Sequence, residues 1–143
     1  MALHIRIECG ENGTVNLRLL FDTNVIIDFL KQGRADFDLS SLILHHECFV
    51  SVIVKLELLK FPAITPDEEY AINEFLQLVQ IIPLSPAIED ETINLSRFSN
   101  LKLPDAIIGA SAIVHSAKVV TRDPHFLKCR YEKLVFWYPS QAL

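Results

Sequence analysis

The stretch LRLLFDTNVIIDFL, Leu17 to Leu30, decides the fold. An apolar run of strand length, Leu17 to Phe21, stops at Asp22. Thr23 and Asn24 follow, and a helix is expected from Asn24 to Gln32, with Val25, Ile26, Phe29 and Leu30 at helical spacing. A strand, an acid and a helix in immediate succession make a βα unit with a carboxylate at the junction of two buried elements.

The same alternation continues along the chain. A helix is expected over Leu39–His46, and CFVS forms a short strand. VIVKLELLKF follows as a helix with Ile53, Leu56, Leu59 and Lys60 at helical spacing, despite its β-branched start. Thr65-Pro66-Asp67-Glu68 combines a cap, a proline at the first helical position and an acid after it, so a helix should run to about Val79. QIIPL reads as a strand, and Ser85-Pro86 starts a helix reaching about Phe98. Leu103-Pro104-Asp105 opens another, in which Ala106, Ala110, Ile113 and Ala117 share a face. KVVT is a strand, PHFL a turn of helix and KLVFWY a closing strand. Strands alternating with helices predict a mainly parallel sheet.

With 143 residues, half of them hydrophobic, the chain suits one domain with a real core. Residues 17–143 are assigned to it. Residues 1–16, LHIRI–ECGENG–TVN in outline, form either one arm of an Asn-Gly hairpin or a frayed leader. The net charge of −5 argues against a broad basic face for nucleic acid. It leaves open an acidic pocket whose sign bound cations invert. Three widely spaced cysteines without a C-x-x-C pair fit a reducing cytoplasm. There is no secretory signal layout and no apolar run of membrane-spanning length. P-loop, dinucleotide and nucleophile-elbow motifs are missing.

The chemistry lies in the acids. Asp22 ends the first strand and Asp123 follows KVVT, and ligands of open α/β sheets bind beyond the carboxyl ends of strands. Glu57 sits in an otherwise apolar helix, and Asp105 in the first turn of a small-residue helix. Each acid has an ordinary alternative. Asp105 could serve a helix dipole, Glu57 could be solvated near Lys55 and Lys60, and Asp123 could be a turn residue before Pro124. Taken together, four acids at element junctions favour one site. Converging carboxylates repel unless a cation joins them, and an all-oxygen set suits Mg²⁺ or Mn²⁺ better than zinc.

His45-His46 point in different directions on a helix, so a solvated helix end is preferred to a metal site. His115 reads the same way, and His125 is placed near any substrate at Asp123. Asp28, one turn beyond Asn24, is a second rim group or a surface residue. The apolar FDLSSLILHH segment suggests a deep core or an interface.

In their order and spacing, FDTNVIIDFL, SVIVKLELL, LPDAIIGASA and VVTRDPHF resemble the PIN-domain ribonucleases, most of all the VapC-type toxins of toxin–antitoxin pairs. The resemblance covers about Leu17 to Tyr138 and rests on the ordered set of four motifs. It implies an α/β, Rossmann-like three-layer α/β/α fold and a metal-dependent endoribonuclease. Its metal-binding and catalytic acids fall on Asp22, Glu57, Asp105 and Asp123. Thr23, Asn24, Ser51 and Thr121 fall in supporting positions, and Arg122 at a commonly basic one. The resemblance also implies an RNA substrate, a Mg²⁺ or Mn²⁺ cofactor, an antitoxin partner, a homodimer and a cytoplasmic setting. It departs from the pattern mainly at its start, reaching its first aspartate late.

Two other classes compete. A receiver-like phosphoryl-transfer domain would show paired acids after the first strand and a placed lysine, where DTN has one acid. A non-catalytic PIN-like module binding RNA or protein would have lost acids that this chain retains.

Overall fold

The computed structural model describes residues 16–32 and 39–137. The N-terminal hairpin or leader lies outside the described residues. Five strands, β1 (Arg18–Phe21), β2 (Glu47–Ser51), β3 (Gln80–Ile82), β4 (Lys118–Val120) and β5 (Phe136–Trp137), form one sheet in the order β3-β2-β1-β4-β5. Every pairing is parallel, with Leu19 opposite both Cys48 and Lys118. The chain steps outward from β1 through β2 to β3, then returns to lay β4 on the other side of β1. Right-handed crossovers in opposite directions put the connecting helices on opposite faces and leave a crevice beyond β1 and β4. Asp22 and Asp123 follow those two strands.

The helices are α1 (Thr23–Gln32), α2 (Leu39–His45), α3 (Val52–Leu59), α4 (Pro66–Leu76), α5 (Pro86–Phe98), α6 (Leu103–Val114) and α7 (Pro124–Leu127). Three of them start as the sequence dictates. Thr65 and Glu68 form a reciprocal capping box on α4, Ser85 caps α5, and each of α4, α5 and α6 carries proline in its first positions. β1 is sealed by its neighbours, with Leu19, Leu20 and Phe21 fully buried and Phe21 packed on Phe75 at 6.3 Å between ring centroids.

α3 is the expected helix; it buries Val54 and Leu58, and Leu56 is 57% exposed. The helix springs directly from the last residue of β2, so the strand exit fixes which face turns inward. α4 stops at Leu76, short of Val79, because the chain must turn before β3 begins at Gln80. Ala117 does not continue α6, which ends at Val114. Ser116 takes a left-handed φ of 53°, and the Ala117 amide bonds back to the Ala112 carbonyl at 2.8 Å, the Schellman arrangement that closes a helix.

The small residues of α6 serve the packing expected of them. A Cβ on Gly109 would lie 2.8 Å from Leu95 Cδ2, and Leu95 is fully buried on α5. Gly109 therefore lets α5 and α6 approach closely, which holds the start of α6, and Asp105 with it, against the sheet.

Candidate active site

Asp22 is 4% exposed, a buried carboxylate at the end of the central strand. Its amide continues the sheet ladder by donating to the Val120 carbonyl at 3.0 Å. Both carboxylate oxygens are held. The Thr23 amide donates to Oδ1 at 2.8 Å, and the Thr121 hydroxyl donates to Oδ2 at 2.7 Å. Thr121 Oγ1 in turn accepts the Asp123 amide at 3.0 Å. One buried hydroxyl therefore links the acid after β1 to the acid after β4.

Asp123 caps α7. Its Oδ1 accepts the His125 amide at 2.9 Å and faces His125 Nδ1 at the same distance. Asp105 lies in the first turn of α6 and Glu57 in the second half of α3. The four acids come from four separate stretches of chain and act on one another. Burial, reinforced by the charges of Asp105 and Asp123, pushes Asp22 up to about 6, against the bonds from Thr121 and Thr23. Burial and then the Asp22 charge raise Glu57, with Lys60 opposing. Burial and then Asp123 and Glu57 raise Asp105, with His125 and Lys102 opposing. Two mechanisms, desolvation and like-charge repulsion, work in the same direction.

The supporting residues separate into distinct roles. Thr23 and Thr121 hold Asp22. The Asn24 side chain accepts the Arg122 amide at 3.4 Å, bracing the turn between β4 and Asp123. Among the described residues, Ser51 forms no hydrogen bond with the acids. It is fully buried, and its Oγ accepts the Ile53 amide at 3.2 Å as the cap of α3, so it reaches Glu57 only through the helix it starts. Ser51→Ala should cost about 1 kcal/mol of stability, as N-cap removals do. Chemical denaturation checks it through a lower midpoint at unchanged slope.

Arg122 pairs with Asp28 at 3.0 Å, a contact that sequence reasoning left open at both ends. The signal was present in the Asn24–Asp28 spacing, which puts both side chains on one face of α1 beside the turn carrying Arg122. His46 accepts the Leu17 amide on Nδ1 at 3.1 Å, a structural bond, while His45 is exposed at the end of α2.

Among the described residues, no three His, Cys, Asp or Glu side chains stand close enough to hold one ion in common. The acids share an electrostatic field without converging on a single point. Their chemistry nonetheless fits a hard divalent cation: the donors are carboxylate oxygens throughout, and a positive charge would relieve their mutual repulsion. Thr23 Oγ1 is sealed from solvent beside Asp22 with no hydrogen-bond partner among the described residues, an unmet polar atom at the same rim.

A parallel α/β domain with acids gathered at the switch point of its sheet is the architecture of a known nuclease class, and the family model described as PIN domain matches residues 19–130. The chain belongs to the PIN domain family. Its fold is shared with chains of toxin–antitoxin complexes. A toxin–antitoxin complex from Klebsiella pneumoniae superposes with a TM-score of 0.71 at 29% identity, covering 87% of this chain and 99% of that one. VapBC2 from Rickettsia felis, bound to a DNA fragment from its promoter, gives 0.74 at 20% identity over 85% and 98% of the two chains. FitAcB from Neisseria gonorrhoeae gives 0.68 at 25% identity over 85% and 97%. No curated protein matches the chain. At the level of the family, this is a PIN nuclease domain. Among the described residues no helix is long and apolar enough to cross a membrane.

Proposed function

We propose that the protein is a metal-dependent endoribonuclease and the toxin of a toxin–antitoxin pair acting in the cytoplasm, with Asp22, Glu57, Asp105 and Asp123 as its metal-binding and catalytic acids. The observation that carries this reading is the buried Thr121 hydroxyl that joins Asp22 to Asp123 beyond the neighbouring strands β1 and β4, with Glu57 and Asp105 near enough to raise the proton affinity of the set. Mg²⁺ or Mn²⁺, held by these carboxylates directly or through water, would supply an activated water and neutralise charge on the phosphodiester.

The chain's own residues prepare that site. Thr23 and Thr121 fix both oxygens of Asp22, so the central carboxylate has one orientation. The Thr121 hydroxyl also fixes the Asp123 backbone, and the His125 amide fixes the Asp123 side chain. The raised proton affinities of Asp22, Glu57 and Asp105 mean that a cation and protons compete for the same oxygens.

An antitoxin partner is supported by the relatives, whose chains are found in toxin–antitoxin complexes. It is supported also by an apolar hollow of about 600 Å³ walled by Ile27, Leu30, Leu58, Phe61 and Ile72.

The test is cleavage of a single-stranded RNA by the purified protein with Mg²⁺, Mn²⁺ or excess EDTA. Cleavage is expected with either ion and should fall by at least about 10³-fold with EDTA, the scale on which loss of electrostatic stabilisation acts. Equal cleavage in EDTA would remove the metal-dependent mechanism.

A further inference from the structure

The acid rim raises a physical difficulty for its own substrate. A polyanion approaching four carboxylates needs cationic contacts close by, and the chain as a whole carries a net charge of −5. Several cations are already engaged: Arg18 with Glu47, Arg122 with Asp28, and Lys133 with Glu91.

Lys60 and Lys102 act on Glu57 and Asp105 themselves, whereas Lys128 and Arg130 share a pocket beside the acids. Both are exposed, and neither enters an ion pair among the described residues. They line a pocket of about 360 Å³ together with Phe98, Asn100, Leu101 and His125. Phe98 is 57% exposed, and Tyr131 backs its ring at 5.2 Å between centroids, leaving an aromatic surface that is supported yet open. The pocket adjoins the acids through His125, which both lines it and holds Asp123 Oδ1. Exposed cations beside an open aromatic face, in a hollow at the small end of the range for ligand pockets, are the components from which single-strand sites are built.

We infer that this pocket seats the single-stranded RNA next to the scissile phosphate, with Lys128 and Arg130 on the backbone and Phe98 against a base. That the strand is the substrate rests on the nuclease reading above. The pocket itself stands on its residues. A folded duplex, whose bases are stacked on each other, leaves Phe98 without a partner, so the site favours unpaired RNA.

The experiment measures binding of a fluorescein-labelled single-stranded RNA by anisotropy, in EDTA so that the strand stays intact, for the full chain and for Lys128→Ala/Arg130→Ala. The double variant should bind about tenfold more weakly. The slope of log affinity against log salt should shrink by about 1.4, two phosphate contacts at about 0.7 each. Phe98→Ala should weaken single-strand binding about tenfold and change duplex binding little. Melting curves of the variants verify that they remain folded, as exposed side chains permit. Unchanged affinity and salt slope in the double variant would overturn the inference, as would a wild-type protein with no affinity for RNA. Binding that depends on Lys128 and Arg130 without cleavage in Mg²⁺ or Mn²⁺ would uphold the pocket and remove the nuclease reading instead.

Discussion

Asp22→Asn is expected to abolish RNA cleavage while making the metal-free protein more stable. The two effects have one cause. Asp22 is a buried carboxylate that its surroundings push up to about 6 from an ordinary 3.8, so the folded state resists its ionisation. A group whose proton affinity is higher in the folded state contributes stability below the unfolded value and loses it as pH rises through the folded value. At neutral pH, then, the ionised Asp22 is a liability to the fold, of about 3 kcal/mol by linkage. Asparagine removes the charge and keeps the shape. Its Oδ1 can still accept the Thr23 amide, while its amide nitrogen can face Thr121 only if that hydroxyl finds another acceptor. The net gain should therefore be smaller, about 2 kcal/mol at neutral pH, after the cost of a disturbed hydrogen bond. It should vanish towards pH 4, where the wild-type acid is itself protonated. Cleavage should fall by about 10³-fold or more, since the proposed mechanism makes Asp22 the central metal-binding acid. Thermal melts in EDTA at pH 5 and 8, set beside cleavage rates in Mn²⁺, check both halves. A variant that is inactive and also destabilised at pH 8 would mean that Asp22 serves the fold first.

The sequence made Asp22 legible because its signal is local: an apolar strand, one acid and a helix start within a few residues. The same holds for Thr65 and Ser85, whose caps are read from adjacent residues and are found as expected. What was not legible depends on how elements are turned in space. The inward face of α3, Val54 and Leu58, is set by the exit angle of β2, and spacing in an almost wholly apolar helix singles out no stripe. Ser51 precedes the Glu57 helix as expected. Whether its hydroxyl would meet the acid or cap the helix is decided by a backbone amide that no spacing rule identifies. The Thr121–Asp22 bond spans 99 positions in the chain and exists only because β1 and β4 are neighbours. The four acids drew attention in the sequence because residues of this charge in apolar settings require explanation wherever they occur.

Thr121→Val tests that link and should be among the most damaging single changes to the site. Valine matches threonine in shape, so packing in this fully buried position survives and only the hydroxyl is lost. Two groups lose their partner together: Asp22 Oδ2 its donor and the Asp123 amide its acceptor. Loss of the donor to buried Asp22 costs about 1–3 kcal/mol and loss of the acceptor of the part-buried Asp123 amide less, so a total of about 3 kcal/mol is expected at neutral pH. The cost should depend on pH in a direction that a simple packing defect would not reproduce. The Thr121 bond lowers the proton affinity of Asp22, so its loss lifts Asp22 further above its ordinary value. The penalty for ionised Asp22 is then larger in the variant above about pH 6, and it disappears in both proteins as pH falls towards 4 and the acid takes up its proton. The difference in stability between wild type and variant should therefore be greatest near pH 8 and shrink by pH 5 to the share owed to the Asp123 amide. Cleavage should drop by at least about tenfold even where the variant is fully folded, because Asp22 loses its fixed orientation and the backbone of Asp123 its tether. Denaturation midpoints across that pH range, together with rates in Mn²⁺ below the melting temperature, separate the two contributions. A pH-independent loss would assign Thr121 to packing alone.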